Sequence, residues 1–218
     1  MDDLMHQVVL PPDMPRKMRQ LPRDEVGRPI PFFVEYVDGK PDFRVMNPRN
    51  FLSAIHANLC WVCGTALPRS PFPATFVAGP MCLINRTSAE PPGHFACGEW
   101  SAKACPFLSK PAKVRREGGL DELAEAPGIM LARNPGVTAL IDAERWTHFR
   151  EPNGYLFRFS FIKRVAWMTR GREATRGEVL DSIHSGLPIL QEMAAEEGPS
   201  AEASLARMVA DAMKWVPK

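Results

Sequence analysis

Four potential metal ligands, arranged in two pairs, constrain the fold of this chain more than any other feature. The first pair is Cys60-Trp-Val-Cys63-Gly64, and the second is His94-Phe-Ala-Cys97. Two thiolates separated by two residues can reach one tetrahedral ion, and the glycine after them permits a tight turn. His94 and Cys97 lie three residues apart, so they share one face of a predicted helix. The spacing predicts that these four side chains bind one zinc ion.

A redox or catalytic use of the first cysteine pair fits the local sequence less well. A thioredoxin-like motif lies where a strand turns into a helix, whereas a predicted helix precedes Cys60 and Gly64-Thr-Ala-Leu-Pro follows Cys63. Deaminase zinc chemistry needs a His-x-Glu motif upstream, and His56 is followed by Ala and Asn. The structural-metal interpretation is therefore the stronger one.

The two remaining cysteines, Cys82 and Cys105, are alternative ligands. Cys105 lies two turns beyond Cys97 on the same predicted helix and roughly on the same side. Either thiol could replace one of the four ligands, but free cysteine is commonly a small buried apolar residue. We expect burial rather than ligation for both.

Proline usage differs between the first two-thirds of the chain and the last third. Nineteen of the 22 prolines lie in residues 1–152, and only three lie in residues 153–218. Proline interrupts helix interiors and sheet ladders, so residues 1–152 must be rich in loops and short strands. No stretch is apolar enough to span a membrane and no signal core opens the chain, which predicts a cytoplasmic protein with reduced thiols. The net charge of +2 gives no global attraction to nucleic acid or acidic lipid.

These patterns predict an α+β fold, with an N-terminal β-hairpin and zinc module followed by a small antiparallel sheet that C-terminal helices cover. Asp38-Gly39 between two β-branched and aromatic runs predicts the hairpin. The first half of the chain, called the front, is further predicted to hold short strands at 74–78 and 81–85 and a helix over 94–105. The second half of the chain, called the back, is predicted to hold strands at 137–142, 155–161 and 164–169, with a turn at Asn153-Gly154. Helices follow over 175–186, 189–197 and 201–215; a capping box of Thr175 and Glu178 opens the first, and Gly198-Pro199 stops the second.

The predicted organisation has four parts. An extended arm (1–29) precedes the hairpin plus zinc module (30–109). A charged, glycine-containing linker (110–127) then leads to an α+β domain with C-terminal helices (128–218).

A Cys-x-x-Cys knuckle, a β-hairpin and then two ligands that open a helix form an arrangement that resembles the treble-clef class of zinc fingers. This resemblance covers residues 60–105 and implies a structural zinc of the Cys₃His type. Together with residues 79–94, 104–108, 133–137 and 171–179, the knuckle also resembles a group of uncharacterised bacterial and phage-encoded proteins. That second likeness runs through most of the chain and implies no mechanism.

The segment between the ligand pairs contains a candidate site for a polar ligand. Asn85, Arg86 and Glu90 lie within six residues of one another and close in sequence to the predicted metal. The alternative is that they are turn and capping groups that join a strand to the helix of the second ligand pair. A His-Me-finger nuclease would need a general-base histidine on the hairpin, and residues 74–88 contain none.

A second candidate is a basic patch around Trp167, formed by Lys163, Arg164, Arg170, Arg172 and Arg176. Basic groups beside an aromatic ring can hold phosphate and stack a nucleobase. The alternative is that these residues are ordinary solvated strand ends. Glu173, Glu178 and Asp181 would then dilute the local positive potential.

Three classes of function remain open at this point. The first is a zinc-stabilised binding or regulatory protein whose partner is a nucleic acid or another protein. The second is a metal-associated enzyme, a nuclease or hydrolase, that uses the polar segment 85–94. The third is a structural or accessory protein of a phage or prophage. The sequence has no Gly-x-Gly-x-x-Gly, Walker or Gly-x-Ser-x-Gly motif, which argues against common nucleotide-binding and serine-hydrolase chemistries.

Overall fold

The computed structural model describes residues 12–111 and 135–218, and these form a mixed helix and strand fold. The front contains a 3₁₀ helix (Arg16–Gln20), β1 (Val34–Val37), β2 (Lys40–Met46), α1 (Pro48–His56), β3 (Ala74–Ala78), α2 (Pro80–Asn85), β4 (Thr87–Ser88), α3 (Phe95–Ala104) and α4 (Pro106–Ser109). The back contains β5 (Thr138–Glu151), β6 (Gly154–Thr169), β7 (Arg172–Glu173), α5 (Arg176–Glu197) and α6 (Pro199–Met213). The α+β prediction is confirmed.

The predicted N-terminal hairpin is confirmed as β1 and β2, which pair antiparallel. Asp38 and Gly39 connect the strands at φ angles of 50° and 76°. Positive φ at both central residues is what a type I′ turn requires, and Asp-Gly adopts it readily. The chain then enters α1, where the Asn47 side chain accepts a hydrogen bond from the Asn50 N–H at 2.9 Å and caps the helix.

A five-stranded antiparallel sheet joins the front of the chain to the back. Its strand order is β3-β5-β6-β4, with β7 paired to β6. The long hairpin β5–β6 occupies the centre of the sheet and turns at Pro152 and Asn153, one residue before the predicted Asn153-Gly154 turn, because Glu151 pairs with Gly154. The predicted strands at 155–161 and 164–169 are therefore two parts of the single strand β6.

A bulge in β6 lies at the point where the sequence suggests a gap between two strands. Asp142 pairs with Arg164 and Ala143 with Ile162, so Lys163 is the extra residue. Nearby, Phe161 adopts a φ of 53°. A bulge sharpens the local twist of a strand. The bulge separates the part of the β5–β6 hairpin next to its turn from the part next to the outer strand ends at Thr138 and Thr169.

The predicted strand at 81–85 is wrong, because residues 80–85 form α2. Gly79 precedes the helix, Pro80 occupies its first position, and Arg86 ends it at a φ of 58°. Proline is well suited to that first position because its missing N–H would have no partner there. A short apolar run is compatible with a buried helix as well as with a strand. Residues 74–88 consequently form no hairpin of their own, and β3 and β4 flank β5 and β6.

The predicted helix end near 186–188 is also wrong, because α5 continues through Pro188 to Glu197. Gly186 faces the Met81 side chain of α2, at about 3.1 Å from where a Cβ would lie. Packing against α2 and α6 therefore maintains the helix across a residue that removes one backbone hydrogen bond. The predicted capping box at Thr175 and Glu178 and the stop at Gly198-Pro199 are both present.

Helices cover both faces of the sheet. On one face, α5 and α6 contribute Val179, Ile183, Leu205 and Ala212 to a core with Phe76, Ile141, Phe159 and Trp167. On the other, Ala102 of α3 packs with Leu140 and Met168. Because Ile141 and Leu140 alternate along β5, the two cores lie on opposite sides of one strand.

Several sequence predictions concern residues outside the described ranges. These are residues 1–11 of the predicted arm, residues 112–127 of the predicted linker, and the start of the segment 133–137. The division of the chain into domains therefore stays a prediction. Within residues 12–111 and 135–218, no helix combines the length and apolar character needed to cross a bilayer.

Candidate metal centre

Cys60, Cys63, His94 and Cys97 converge on one point in the structure. Their ligand atoms all lie within 4.8 Å of one another. His94 Nδ1 is 3.5 Å from Cys63 Sγ and 3.9 Å from Cys97 Sγ. In a tetrahedral zinc site with Zn–S of about 2.3 Å and Zn–N of about 2.0 Å, neighbouring donors lie about 3.5–3.8 Å apart. The separations thus fit four ligands around a single tetrahedral ion.

The first ligand pair lies in a tight turn that follows α1. The Gly64 N–H donates to the Cys60 carbonyl at 2.8 Å, and Gly64 itself has a φ of 69°. The Cys63 N–H points at Cys60 Sγ over 3.5 Å. A side chain at position 64 would meet the Phe32 ring, 2.7 Å from an ideal Cβ. Glycine therefore gives this turn its shape for both conformational and steric reasons.

The second ligand pair lies at the N-terminus of α3. His94 is the residue immediately before the helix and Cys97 lies in its first turn. The His94 N–H donates to Cys60 Sγ at 3.4 Å, so this sulfur faces two backbone N–H groups, the other being that of Cys63. Backbone donors and the positive end of a helix both favour a thiolate over a thiol.

Short backbone contacts fix the two ligand segments against each other. The Trp61 N–H donates to the Pro92 carbonyl at 3.1 Å. Thr75 of β3 and Gly93 exchange two hydrogen bonds, at 2.8 and 2.7 Å. An ideal Cβ on Gly93 would lie only 3.3 Å from Cys60 Sγ. The sheet therefore positions the segment that carries His94, and a glycine lets that segment approach the first pair closely.

The histidine and one sulfur have further partners around the four ligands. His94 Nε2 lies 3.1 Å from the Ala66 carbonyl oxygen. With Nδ1 bound to an ion, Nε2 carries the ring hydrogen and donates it to the carbonyl, a common outer-shell arrangement. Thr65 Oγ1 lies 3.2 Å from Cys63 Sγ. These contacts orient the imidazole and one thiolate.

The pKa values of three of the four groups are shifted. Hydrogen bonds to Cys60 and Cys63 raise the pKa of His94 to about 9. The pKa of Cys63 is lowered because Cys60, Cys97 and His94 stabilise its thiolate. The pKa of Cys97 is raised because its thiol donates to the Cys60 and Cys63 sulfurs and is buried. Three adjacent thiolates require a compensating cation, which a bound divalent ion would supply.

The candidate centre is buried. Cys60, Cys63 and Cys97 are 0–7% exposed. They share an apolar cluster with Met14, Met18, Leu67 and Trp100. Two of these residues, Met14 and Met18, come from the N-terminal segment, which also contacts α3 through the Asp13–Lys103 ion pair at 3.2 Å. Four protein donors complete a tetrahedral shell, which is typical of structural rather than catalytic zinc.

The alternative ligands lie apart from this group. Among the residues that the structure describes, neither Cys82 nor Cys105 belongs to the set of converging ligand atoms. Cys82 lies in α2, where burial raises the pKa of its thiol to about 11. Cys105 ends α3. The four residues first chosen from their spacing are the ones that the fold brings together.

The structure places the polar candidates between the ligand pairs in different local contacts. The Asn85 side chain accepts from the Thr87 N–H at 3.0 Å, as in a local turn. Arg86 ends α2 and faces a cleft of about 340 Å³ beside β6. The Glu90 backbone exchanges hydrogen bonds with the Ser88 hydroxyl at 3.1 Å. The turn-and-cap interpretation therefore accounts for Asn85 and for the Glu90 backbone, whereas Arg86 belongs to a different surface.

Most of the predicted basic patch is engaged in local contacts. Lys163 pairs with Glu144 at 2.6 Å, Arg164 with Asp142 at 2.7 Å, and Arg172 with Glu178 at 2.7 Å. Arg176 donates to the Pro217 carbonyl at 2.8 Å. Arg170 lies in the turn after β6 at a φ of 49°. These contacts leave little uncompensated positive charge around Trp167.

One buried network near the metal centre escaped the sequence analysis. Asp142, 5% exposed, accepts a hydrogen bond from Thr75 Oγ1 at 2.6 Å and another from Arg164 Nε at 2.8 Å. The available signal is a carboxylate inside the apolar run Ala139-Leu-Ile-Asp-Ala, because a buried charge needs a partner. Which residues would serve as partners depended on the sheet register.

Comparisons with known protein families, curated proteins and solved structures found no match for this chain. The likenesses to treble-clef fingers and to uncharacterised bacterial and phage-encoded proteins therefore stay predictions from the sequence. What the fold does provide is a Cys₃His cluster with the spacing of a metal site.

Proposed function

We propose that this chain is a zinc-stabilised binding protein in which the metal has a structural role. The observation that carries this proposal is the convergence of three sulfurs and one imidazole nitrogen within 4.8 Å. Three thiolates and an imidazole are a donor set that suits zinc, and a shell filled by protein ligands supports a fold rather than a reaction.

The architecture of the front explains why a metal would be useful there. Between the 3₁₀ helix and α4, the front contains only short helices and strands, and its hairpin β1–β2 has two strands. An isolated two-stranded hairpin is marginal in water. A structural zinc contributes on the order of 10 kcal/mol to small zinc domains. Such an ion would join the Cys60 turn to the start of α3 and so stabilise the segments around both.

The other two functions have weaker support. An enzyme that uses residues 85–94 would need polar side chains beside the metal, whereas the Asn85 side chain belongs to a local turn and Arg86 lines a cleft beside β6. The geometry of the metal centre neither favours nor opposes the third function, an accessory phage protein. We prefer a binding role because four protein ligands complete the coordination shell of the centre, which is typical of structural zinc. The exposed part of the β5–β6 hairpin offers a surface for a partner.

The metal content of two matched cysteine variants tests this proposal. We expect elemental mass spectrometry to find one zinc ion per purified chain. The Cys97→Ser variant should lose this ion, and the Cys105→Ser variant should retain it. Loss of the ion should also lower Tm sharply in Cys97→Ser. A wild-type chain that folds to the same Tm after exhaustive chelation would refute a structural metal.

A further inference from the structure

The part of the β5–β6 hairpin beyond the bulge presents arginines and aromatic rings together. The Arg145 guanidinium lies 4.7 Å from the centre of the Phe161 ring, and the Arg158 guanidinium lies 5.2 Å from that of Phe149. Both arginines are exposed. Phe161 is 58% exposed although it is a large apolar residue. Two cation–aromatic pairs thus lie on one short stretch of sheet.

The strand register places hydroxyl groups between these arginines. Thr147 of β5 lies opposite Arg158 of β6, which in turn lies opposite Thr87 of β4. One step along the ladder on the same side of β5, Arg145 lies opposite Ser160. Paired residues on neighbouring strands lie about 5 Å apart, so guanidinium and hydroxyl donors alternate across three strands. Both types of group are common partners of phosphate oxygens.

Arg86 extends this set of donors at the edge of the sheet. Its carbonyl accepts from the Phe159 N–H at 3.0 Å, which places Arg86 beside the strand segment that carries Arg158 and Ser160. Its side chain lines the cleft of about 340 Å³ together with Ser160, Phe161 and Lys214. The acidic residue of this cleft, Asp211, accepts a hydrogen bond from Lys214 at 2.6 Å.

The positive charges of Arg145 and Arg158 are less compensated than those of the predicted patch around Trp167. Within residues 12–111 and 135–218, no carboxylate oxygen lies within 4.0 Å of Arg145 or Arg158, whereas Lys163 and Arg164 form ion pairs. A guanidinium held against a ring keeps its N–H donors in a defined plane, and that plane can face a phosphate. The charge of the surface is therefore complementary to a polyanion.

We propose that these residues, named here the hairpin face (Arg86, Arg145, Phe149, Arg158 and Phe161), bind single-stranded nucleic acid. The inference specifies the partner in the proposed function and rests on it. The guanidinium groups contact phosphates, and nucleobases stack on the two rings. A duplex keeps the faces of its bases stacked inside, so its bases cannot stack on Phe149 and Phe161.

The spacing and conformation of the two rings support this partner. Phe149 and Phe161 lie about five residue steps apart along the hairpin, or about 16 Å, which extended single strands span within a few nucleotides. Phe161 keeps a φ of 53°, which is uncommon for a bulky residue, and its ring is exposed. Strained residues often mark functional surfaces. Base stacking on this ring would give the unusual conformation a role.

Fluorescence anisotropy of the zinc-loaded full chain tests the proposal. The probes are labelled oligodeoxyuridylate and oligouridylate of about 16 nucleotides, and a duplex of equal length. We expect both single strands to bind more tightly than the duplex, with an affinity that falls steeply between about 50 and 200 mM salt. A preference between the two single strands would identify RNA or DNA as the partner.

Two hairpin-face variants and a charge-matched control localise the site. Arg145→Gln/Arg158→Gln should weaken binding at least about tenfold and reduce the salt slope by about 1.4, because two phosphate contacts are lost. Phe161→Ala should weaken binding roughly 5- to 150-fold with little change in slope, since stacking is not ionic. Lys40→Gln/Arg69→Gln removes two exposed charges outside the hairpin face and should change affinity less than about twofold.

The outcomes separate this inference from the proposed function, because zinc content and Tm are measured on every variant. Wild-type chain that contains zinc but binds no oligonucleotide at low salt would overturn the inference and leave the metal assignment intact. Equal affinity of the hairpin-face variants and the wild type, or tighter binding of the duplex, would overturn it too. Chain that binds through the hairpin face without zinc would refute the proposed function instead.

Discussion

The Arg164 guanidinium lies 3.6 Å from the centre of the Phe95 ring. Phe95 opens α3, whose first turn carries Cys97, while Arg164 belongs to β6. The same guanidinium binds Asp142, which accepts a hydrogen bond from Thr75 of β3. Three strands and the N-terminus of α3 are thereby connected through one charged network beside the metal centre.

Loss of the central carboxylate should destabilise the fold strongly. Asp142→Ala removes the acceptor for the buried Thr75 hydroxyl and for Arg164, so we expect the free energy of unfolding to fall by about 2–4 kcal/mol. Denaturant unfolding of the zinc-loaded protein measures this change. The control Glu144→Ala breaks an ion pair with the half-exposed Lys163 and should cost less than about 1 kcal/mol. Similar losses in the two variants would contradict the importance of the network.

Substitution of the glycine in the knuckle should impair both stability and metal binding. Gly64→Ala introduces a Cβ 2.7 Å from the Phe32 ring at a φ of 69°. The left-handed backbone costs about 1–2 kcal/mol, and the steric conflict adds about 1–3 kcal/mol. Calorimetric Tm and a zinc competition titration would measure these effects.

Gly27→Ala is the matched control for this substitution. Gly27 also has a positive φ, at 84°, but its ideal Cβ meets no atom within 4 Å. It should therefore show only the backbone cost of about 1–2 kcal/mol and retain zinc affinity. If Gly64→Ala were no more harmful than Gly27→Ala, close packing of the turn on Phe32 would not be important.

Zinc binding should release protons, and the number should depend on pH. In the metal-free protein the pKa of His94 is raised to about 9 and that of Cys97 is raised as well, so both groups carry a proton near neutral pH. Coordination requires a free Nδ1 and a thiolate, and it must displace both protons. Affinity should therefore rise with pH, and release from His94 should disappear above about pH 9.

Calorimetry in two buffers of different ionisation enthalpy counts these protons. We expect at least two per zinc ion near pH 7, from His94 and Cys97, and fewer once the pH exceeds the pKa of the imidazole. A count that stayed constant from neutral to strongly alkaline pH would contradict the raised pKa of His94.

Thiol alkylation should distinguish the five cysteines. With zinc bound, Cys105 should react first and Cys82 slowly, because burial raises the pKa of the Cys82 thiol to about 11 and the thiolate is the reactive form. After chelation, Cys60, Cys63 and Cys97 should become reactive. Peptide mapping by mass spectrometry follows each site, and equal rates for Cys82 and Cys105 would contradict the raised pKa of the Cys82 thiol.

Local sequence signals predicted the parts of this fold that depend on local conformation. The Asp38-Gly39 turn needs positive φ at two residues, and the Thr175–Glu178 box satisfies its own backbone groups, so neither depends on distant packing. The two ligand pairs were predictable for a similar reason, because the members of each pair are close in sequence, whereas the convergence of the pairs depends on the contacts of Trp61 with Pro92 and of Thr75 with Gly93.

Features determined by tertiary packing were not predictable in this way. The apolar residues of α2 fit either a strand or a buried helix, and only their contact with α5 and α6 decides between them. Pro188 normally ends a helix, yet contacts along α5 maintain it. The pairing of Arg164 with Asp142 depends on the register of β5 and β6, which places them opposite each other across a bulge.

All four ligands of the metal centre come from one continuous stretch that ends at Cys97, upstream of the β5–β6 hairpin. During synthesis this stretch leaves the ribosome before the central strands of the sheet, and N-terminal units generally fold first. Metal binding by the nascent chain would therefore fix α3 and the segment that precedes it before β5 and β6 have been synthesised. The late hairpin would then insert between β3 and β4 against an edge already in place, so zinc supply during translation would govern the yield of native protein.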